Sequence, residues 1–276
     1  MYDLHVHTTA SDGLLTPAEV IDMAVRLGLT GIAITDHDTL MGLKPAIEYL
    51  SANKIGLDFI PGIEINTDVE RGEVHILGYY VDPGNEALSN RLAEIKVFRR
   101  ERAWGMIRLL GEMGMPISAE EVENRAQGDL IGRPHIAMAL MDKGYVGSIK
   151  EAFDKYIAQG RPAYVPRYKF PPAEAIALIH QAGGKAVLAH PGLIEDRKII
   201  DEIIALGIDG LEVYYPEHNE SQADYFKKLA DRQGLLVTGG SDFHGMESLE
   251  SHAPLGTCGI DDKCFDGFKQ KMLKNK

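Results

Sequence analysis

The segment DLHVHTTASDG, residues 3–13, brings His5, His7 and Asp12 close together near the start of the chain. Imidazole nitrogens and carboxylate oxygens with no thiolate among them suit zinc, manganese or iron, and ligand type alone does not choose between these. Residues two apart on a strand point to the same face, so His5 and His7 can share one ion. Groups of the same kind recur downstream: Asp36 and His37 at the end of the second strand in ITDHDT, Glu64 at the end of the third in PGIEIN, His75 in EVHILGYY, His190 in LAHPG, and Asp242 and His244 in GGSDFHG. Taken singly, each has an ordinary use. A lone histidine is commonly a hydrogen-bonded core residue, TDH can cap a helix, Glu64 can form an ion pair, and SDFHG can make a turn. Taken together they point to metal, because so many polar groups at one place would be costly to bury without a cation.

The elements that must position them read as strands alternating with helices. YDLHVH is a strand, TPAEVIDMAVRLGL a helix with Thr16 as cap and Glu19 closing a capping box, and GIAIT the next strand. GLKPAIEYLSANK is helical, LDFIPGIEI and EVHILGYY are strands separated by a turn, and the alternation resumes after residue 170 to give seven strands. Residues 88–164 read as helical almost throughout, with one long helix broken near Gly105, so they form a helical insertion between barrel segments 1–87 and 165–276. In barrels of parallel strands the chemistry sits at the C-terminal strand ends. Six of the ten histidines (His5, His7, His37, His75, His190 and His244) fall at or near that rim.

Composition narrows the partners. A formal charge of -12 argues against long duplex nucleic acid, whose affinity comes largely from Lys and Arg displacing counterions. A small anion or the end of a single strand still fits if a few cations converge in one pocket. Cys258 and Cys264 make neither a disulfide framework nor a CxxC pair. No apolar run suits a bilayer and no signal peptide is legible, so no membrane partner and a cytoplasmic location are expected.

The six motifs, in this order and spread over nearly the whole chain, resemble the metal-dependent phosphoesterases of the PHP (polymerase and histidinol phosphatase) family. The resemblance implies an α/β fold, a distorted (β/α)7 barrel, with three divalent metal ions, manganese in preference to zinc or iron. Carried over by position, the first ion takes His5, His7, Glu64 and Asp242, the second Glu64, His75 and His190, and the third Asp12, His37 and His244. Glu64 bridges, and Asp12 stands where some relatives carry histidine. Chain length, Asp12, the insertion and the segments RPHIA and AYVPRYKF resemble the branch of nucleoside 3',5'-bisphosphate phosphatases and related 5'-to-3' exoribonucleases. That implies hydrolysis of a phosphate monoester of a small nucleotide, with short RNA taken from the 5' end as a further substrate. A histidinol-phosphate-type or other small-molecule phosphatase and a non-catalytic PHP-like binding module are the alternatives.

Substrate contacts are expected beside the metals. His218, in YYPEHNES just past the sixth strand, is a candidate to protonate the leaving group as well as to touch substrate. Arg133 and His135, at the start of a predicted helix, and Arg167 offer positive charge for phosphate. Trp104 is expected to be packed, and His180 and His252 are given no role.

Overall fold

The computed structural model describes residues 1–70, 72–126, 130–245 and 253–273. His252 lies outside them. Among the described residues, seven strands form one sheet in chain order. They are β1 (Tyr2–Val6), β2 (Gly31–Ile34), β3 (Asp58–Val69), β4 (Gly72–Tyr79), β5 (Lys185–Leu188), β6 (Gly210–Tyr214) and β7 (Leu236–Gly239). Neighbours are parallel except that β4 runs antiparallel to both β3 and β5. The sheet nearly closes on itself: His7 N–H donates to the Phe243 carbonyl at 2.9 Å, and Asp3 accepts from Ser241 N–H at 2.9 Å.

One apolar cluster draws at once on Tyr2, Leu4, Ala33, Ile60, Leu77, Val187 and Leu236, a combination that the inside of a barrel allows. Phe265 and Phe268 close its base from a C-terminal helix that the sequence reading did not anticipate. The outer face of the strands is covered by helices α1 (Pro17–Arg26) and α2 (Leu43–Asn53) on one side, with Val20, Ile21, Leu43 and Ala46 packed on Ile32 and Ile34. Thr16 caps α1 as expected, accepting from Glu19 N–H while Glu19 accepts from Thr16 N–H at 2.8 Å.

Two expectations change. Glu64 does not end its strand. It lies in the middle of β3, because β3 runs on past the rim and pairs with β4 as a hairpin from Gly62–Tyr79 to Val69–Gly72. The long helix α3 (Glu86–Glu112) is not broken at Gly105. A Cβ at that position would lie 3.2 Å from Val165 Cγ2, so glycine there admits a returning chain segment rather than a kink. The first half of α3 contributes Leu88, Leu92 and Ile95 to the barrel's outer core, whereas Ala103, Met106 and Leu110 belong to a separate core. That second core includes Ile136 and Leu140 of α5 (Arg133–Asp142), so the chain changes cores in mid-helix. Trp104 is 46% exposed on α3, not packed as expected, because its side points away from both cores. No helix of the described residues is long and apolar enough to cross a membrane.

Candidate metal centre

Strand ends and one hairpin bring nine polar side chains to the barrel mouth. His5 Nε2 lies 3.3 Å and His7 Nε2 3.2 Å from Glu64 Oε2, so the two histidines do face the same way. Asp242 Oδ1 is 3.3 Å from His5 Nε2 and 3.1 Å from His7 Nε2. Glu64 turns its other oxygen to His75 Nδ1 at 2.9 Å and His190 Nε2 at 3.3 Å. His37 Nδ1 approaches Glu64 Oε2 at 2.9 Å, and His244 Nε2 approaches Asp12 Oδ1 at 3.4 Å.

Three groups of candidate ligand atoms result. They are His5, His7, Glu64 and Asp242; His37, Glu64 and His75; and His7, Asp12, His37 and His244. The grouping differs in detail from the expectation: His37 stands beside the Glu64–His75 pair as well as beside Asp12, and the two nitrogens of His7 face different groups.

The donor set fits a cation. His5 Nε2, both ring nitrogens of His7, Asp12 Oδ1, His37 Nδ1 and Glu64 Oε2 are buried with no hydrogen-bond partner, although they lie close to one another. Buried polar atoms are rarely left so, and ions are among the groups that satisfy them. Without a cation the cluster must neutralise itself. Burial alone would raise the Glu64 carboxyl, yet His37, His5 and His75 hold it well below the usual carboxylate range. Burial alone would lower His37, yet Glu64 and Asp12 push it up to about 9. Backbone strain is concentrated here too, with φ of +30° at His190, +54° at Asp242 and +49° at Asp38.

Asp36, two residues past β2, turns from the cluster, accepting from Thr8 N–H at 2.7 Å and Ser11 Oγ–H at 2.7 Å, and so fixes the loop that carries Asp12. Beside the cluster is a cavity of about 210 Å3, bordered by Asp12, His37 and His75 on the barrel side. Its other wall carries Arg99 and Arg102 of α3, Arg133 of α5, and Arg167. Arg133 and Arg167 share Glu73, each at 3.7 Å, and Arg167 Nε donates to Asp68 at 2.7 Å. Arg99 is held by Asp38, through Nε at 2.9 Å and through Nη2. Burial and the neighbouring Arg133 push Arg102 down to about 10. The Nη2 groups of Arg102 and Arg167 are buried without a hydrogen-bond partner. Phe98 and Tyr168, stacked with ring centroids 4.2 Å apart, complete the rim.

Sequence reading placed Arg133 and Arg167 here but missed Arg99 and Arg102. The available signal was their spacing of three on a helix, which puts both on one face. Two other candidate side chains turn to backbone instead of into the cavity. His135 is buried and does not line the cavity; its Nδ1 accepts from Gly132 N–H at 3.0 Å, which secures the turn presenting Arg133. His218 accepts from Gly192 N–H at Nε2 (2.9 Å) and donates from Nδ1 to the Val213 carbonyl (2.9 Å). Both nitrogens thus bond to backbone here, and burial lowers the ring's pKa, an arrangement in which His218 pins the Gly192 loop.

Comparison with known proteins follows the same lines. The PHP domain family model matches residues 3–164. The 5'-3' exoribonuclease Rnm of Escherichia coli strain K12 is 37% identical over 249 residues, covering 88% of this chain and 85% of its own length. The 3',5'-nucleoside bisphosphate phosphatase of Chromobacterium violaceum is 36% identical over 255 residues, covering 88% of this chain and 86% of its own. A solved structure of a metal-dependent phosphoesterase from Bifidobacterium adolescentis superposes with a TM-score of 0.87 at 35% identity, covering 96% of this chain and 94% of its own.

Proposed function

The chain belongs to the PHP-domain family, and from that premise we propose that it hydrolyses a phosphate monoester of a small nucleotide, a nucleoside 3',5'-bisphosphate first of all. The observation that carries this reading is the set of partnerless donor atoms at the barrel mouth lying against a cavity walled by four arginines. It is a metal-dependent phosphoric ester hydrolase. Three divalent ions, manganese before zinc or iron, would be held by His5, His7, Glu64 and Asp242; by Glu64 with His75 and His190; and by Asp12, His37 and His244. Bound there, such ions supply Lewis acidity, polarising a phosphoryl oxygen and making water nucleophilic near neutral pH.

The chain's own residues do the rest. Glu64 presents both oxygens to different histidines, which suits it to bridge. Asp242 is steadied by the Tyr215 hydroxyl, which donates to its Oδ2 at 3.0 Å. Arg102, Arg133 and Arg167 offer a planar fork of N–H groups to phosphate oxygens, with Arg99 fixed beside them by Asp38. Two phosphates on one small molecule would use the two kinds of site at once, one at the cluster and one at the arginines. The Phe98–Tyr168 pair gives a base an apolar surface. Short RNA with a 5' phosphate is a second substrate of the same design, supported by the exoribonuclease relative.

The test is a turnover comparison of the manganese-loaded protein on adenosine 3',5'-bisphosphate, short 5'-phosphorylated RNA and histidinol phosphate. We expect the bisphosphate to lead by kcat/KM. Faster turnover of histidinol phosphate, which has a single phosphate and no nucleobase, overturns the reading.

A further inference from the structure

Four carboxylates are buried among the described residues without being among the candidate ligand atoms: Asp3, Asp36, Asp38 and Glu212, of which Asp38 accepts from Asn66 N–H at 3.0 Å and from Arg99. Two of them serve loops. Asp3 accepts from Ser241 N–H at 2.9 Å, Ser241 Oγ–H at 2.6 Å and Gly256 N–H at 2.9 Å, joining β1 to the segment after β7. Asp36 accepts from Thr8 and Ser11 as described above. Glu212 differs, because one of its partners is an imidazole. Its Oε1 lies 3.0 Å from His5 Nδ1, and its Oε2 accepts from His190 N–H at 2.7 Å.

We propose that Glu212 is a positioning residue that fixes His5 as the tautomer protonated on Nδ1, turning the Nε2 lone pair into the cluster, while clamping the backbone of His190. This rests on the reading that the cluster holds metal. The geometry follows from the strand. Leu211 and Val213 both join the outer apolar layer, so the pleat of β6 sends Glu212 between them to the barrel interior. Oε2 already accepts from His190 N–H, and with Oε1 accepting in the same way the proton of the His5–Glu212 contact sits on Nδ1. That leaves Nε2, which is 3.3 Å from both Glu64 Oε2 and Asp242 Oδ1 and makes no hydrogen bond, as the atom offered to a cation. The second contact matters because His190 has a φ of +30°, a conformation that an L-residue holds only when its surroundings enforce it. A single buried group thereby sets two histidines, one after β5 and one in β1, that flank Glu64 from different sides.

Glu212→Gln tests this with almost no change of shape. The amide oxygen can keep the bond from His190 N–H, but the NH2 group then faces His5 Nδ1, which must accept, and the ring proton moves to Nε2. Zinc titration of the full chain after chelation should show the Glu212→Gln protein binding about 10–100-fold more weakly at one site, in the range seen when outer partners of metal-bound histidines are lost. In a His5→Ala background the same change should add nothing further. The zinc-loaded wild-type protein should also show a low-field proton resonance from His5 Nδ1–H. Zinc affinity unchanged in Glu212→Gln overturns the proposal. So does a zinc-loaded wild type in which His5 Nδ1 carries no proton, a measurement that does not depend on the variant folding. A wild type that binds zinc but hydrolyses none of the three esters would instead sink the functional reading and leave Glu212 in its role.

Discussion

The barrel mouth and the helical insertion present charge in opposite ways. At the mouth, carboxylates and imidazoles from β1, β3 and β4 and from the loops after β1, β2, β5 and β7 crowd together and hold one another's protonation away from ordinary values. In the insertion, arginines stand on helices whose apolar faces pack in a core of their own, with Ile131, Ile136, Leu140 and Ile157 at its centre. The mouth is therefore held by strand backbone, and its donors have little freedom to move. The arginine wall is held by helix packing and by three barrel carboxylates, Asp38, Asp68 and Glu73, that reach across to Arg99, Arg133 and Arg167. On the proposed function, the cluster and the arginine wall rest on different packing and should be alterable one at a time, and the strongest tests exploit that.

The largest effect should come from the mouth. Glu64→Gln removes the carboxylate whose two oxygens face different histidines of the cluster, and we expect kcat to fall about 1,000-fold, with metal content falling too. Retained activity with full metal content would take the bridge away from Glu64. In the insertion, Arg102→Ala or Arg133→Ala should raise KM for a bisphosphate about 10–100-fold, the loss of a charged hydrogen bond worth about 1.5–3 kcal/mol, while metal content stays intact. A fall in kcat together with metal loss would mean that the two regions are not separable.

The same contrast explains what could be read in advance. His5 and His7 were legible because strand periodicity fixes the face of residues two apart, and the glycine-bounded motifs marked where strands end. Glu64 was found but misplaced, since nothing in PGIEIN tells that β3 runs on into a hairpin with β4. Arg99 and Arg102 were hidden in KVFRRERAWG, where a run of charges ordinarily means a solvated helix face, and only the cavity reveals which cations turn inward. Glu212 had a signal that went unread: a carboxylate between apolar residues in GLEVYY must find a partner when the strand is buried. The backbone contacts of His218 were not legible because a loop residue's direction depends on its neighbours. A Cβ on Gly192 would lie 2.4 Å from His218 Cδ2, so it is glycine at a distant position that lets the ring close on that loop.

Acid–base linkage should separate the regions in the metal-free protein. His37 is raised from 6.5 to about 9, so the stability from its protonated ring is complete below about 6.5 and is lost as pH rises through about 9. Thermal unfolding of chelated protein should therefore show a midpoint for the barrel that falls across that window, and added metal, which replaces the proton as the positive charge, should remove the fall. Trp104, the single tryptophan, lies in the insertion and reports that region by fluorescence. Its transition should shift less with pH than the far-ultraviolet signal of the whole chain. Equal shifts would show that the two cores melt as one.

The smallest effect is the most diagnostic for His218. A proton donor typically contributes about 100–10,000-fold to rate, so its removal could not pass unnoticed. A ring that accepts from Gly192 and donates to Val213 instead contributes two neutral hydrogen bonds, together about 1–3 kcal/mol of stability. His218→Gln should accordingly lower the unfolding free energy by an amount in that range while kcat stays within about threefold of wild type and both limbs of the pH–rate profile keep their positions. Loss of the basic limb would return His218 to the proton-donor role. If the profile holds, the proton for the leaving oxygen must come from water or from a group on the cavity side of the cluster, where Arg102 and the histidines already converge.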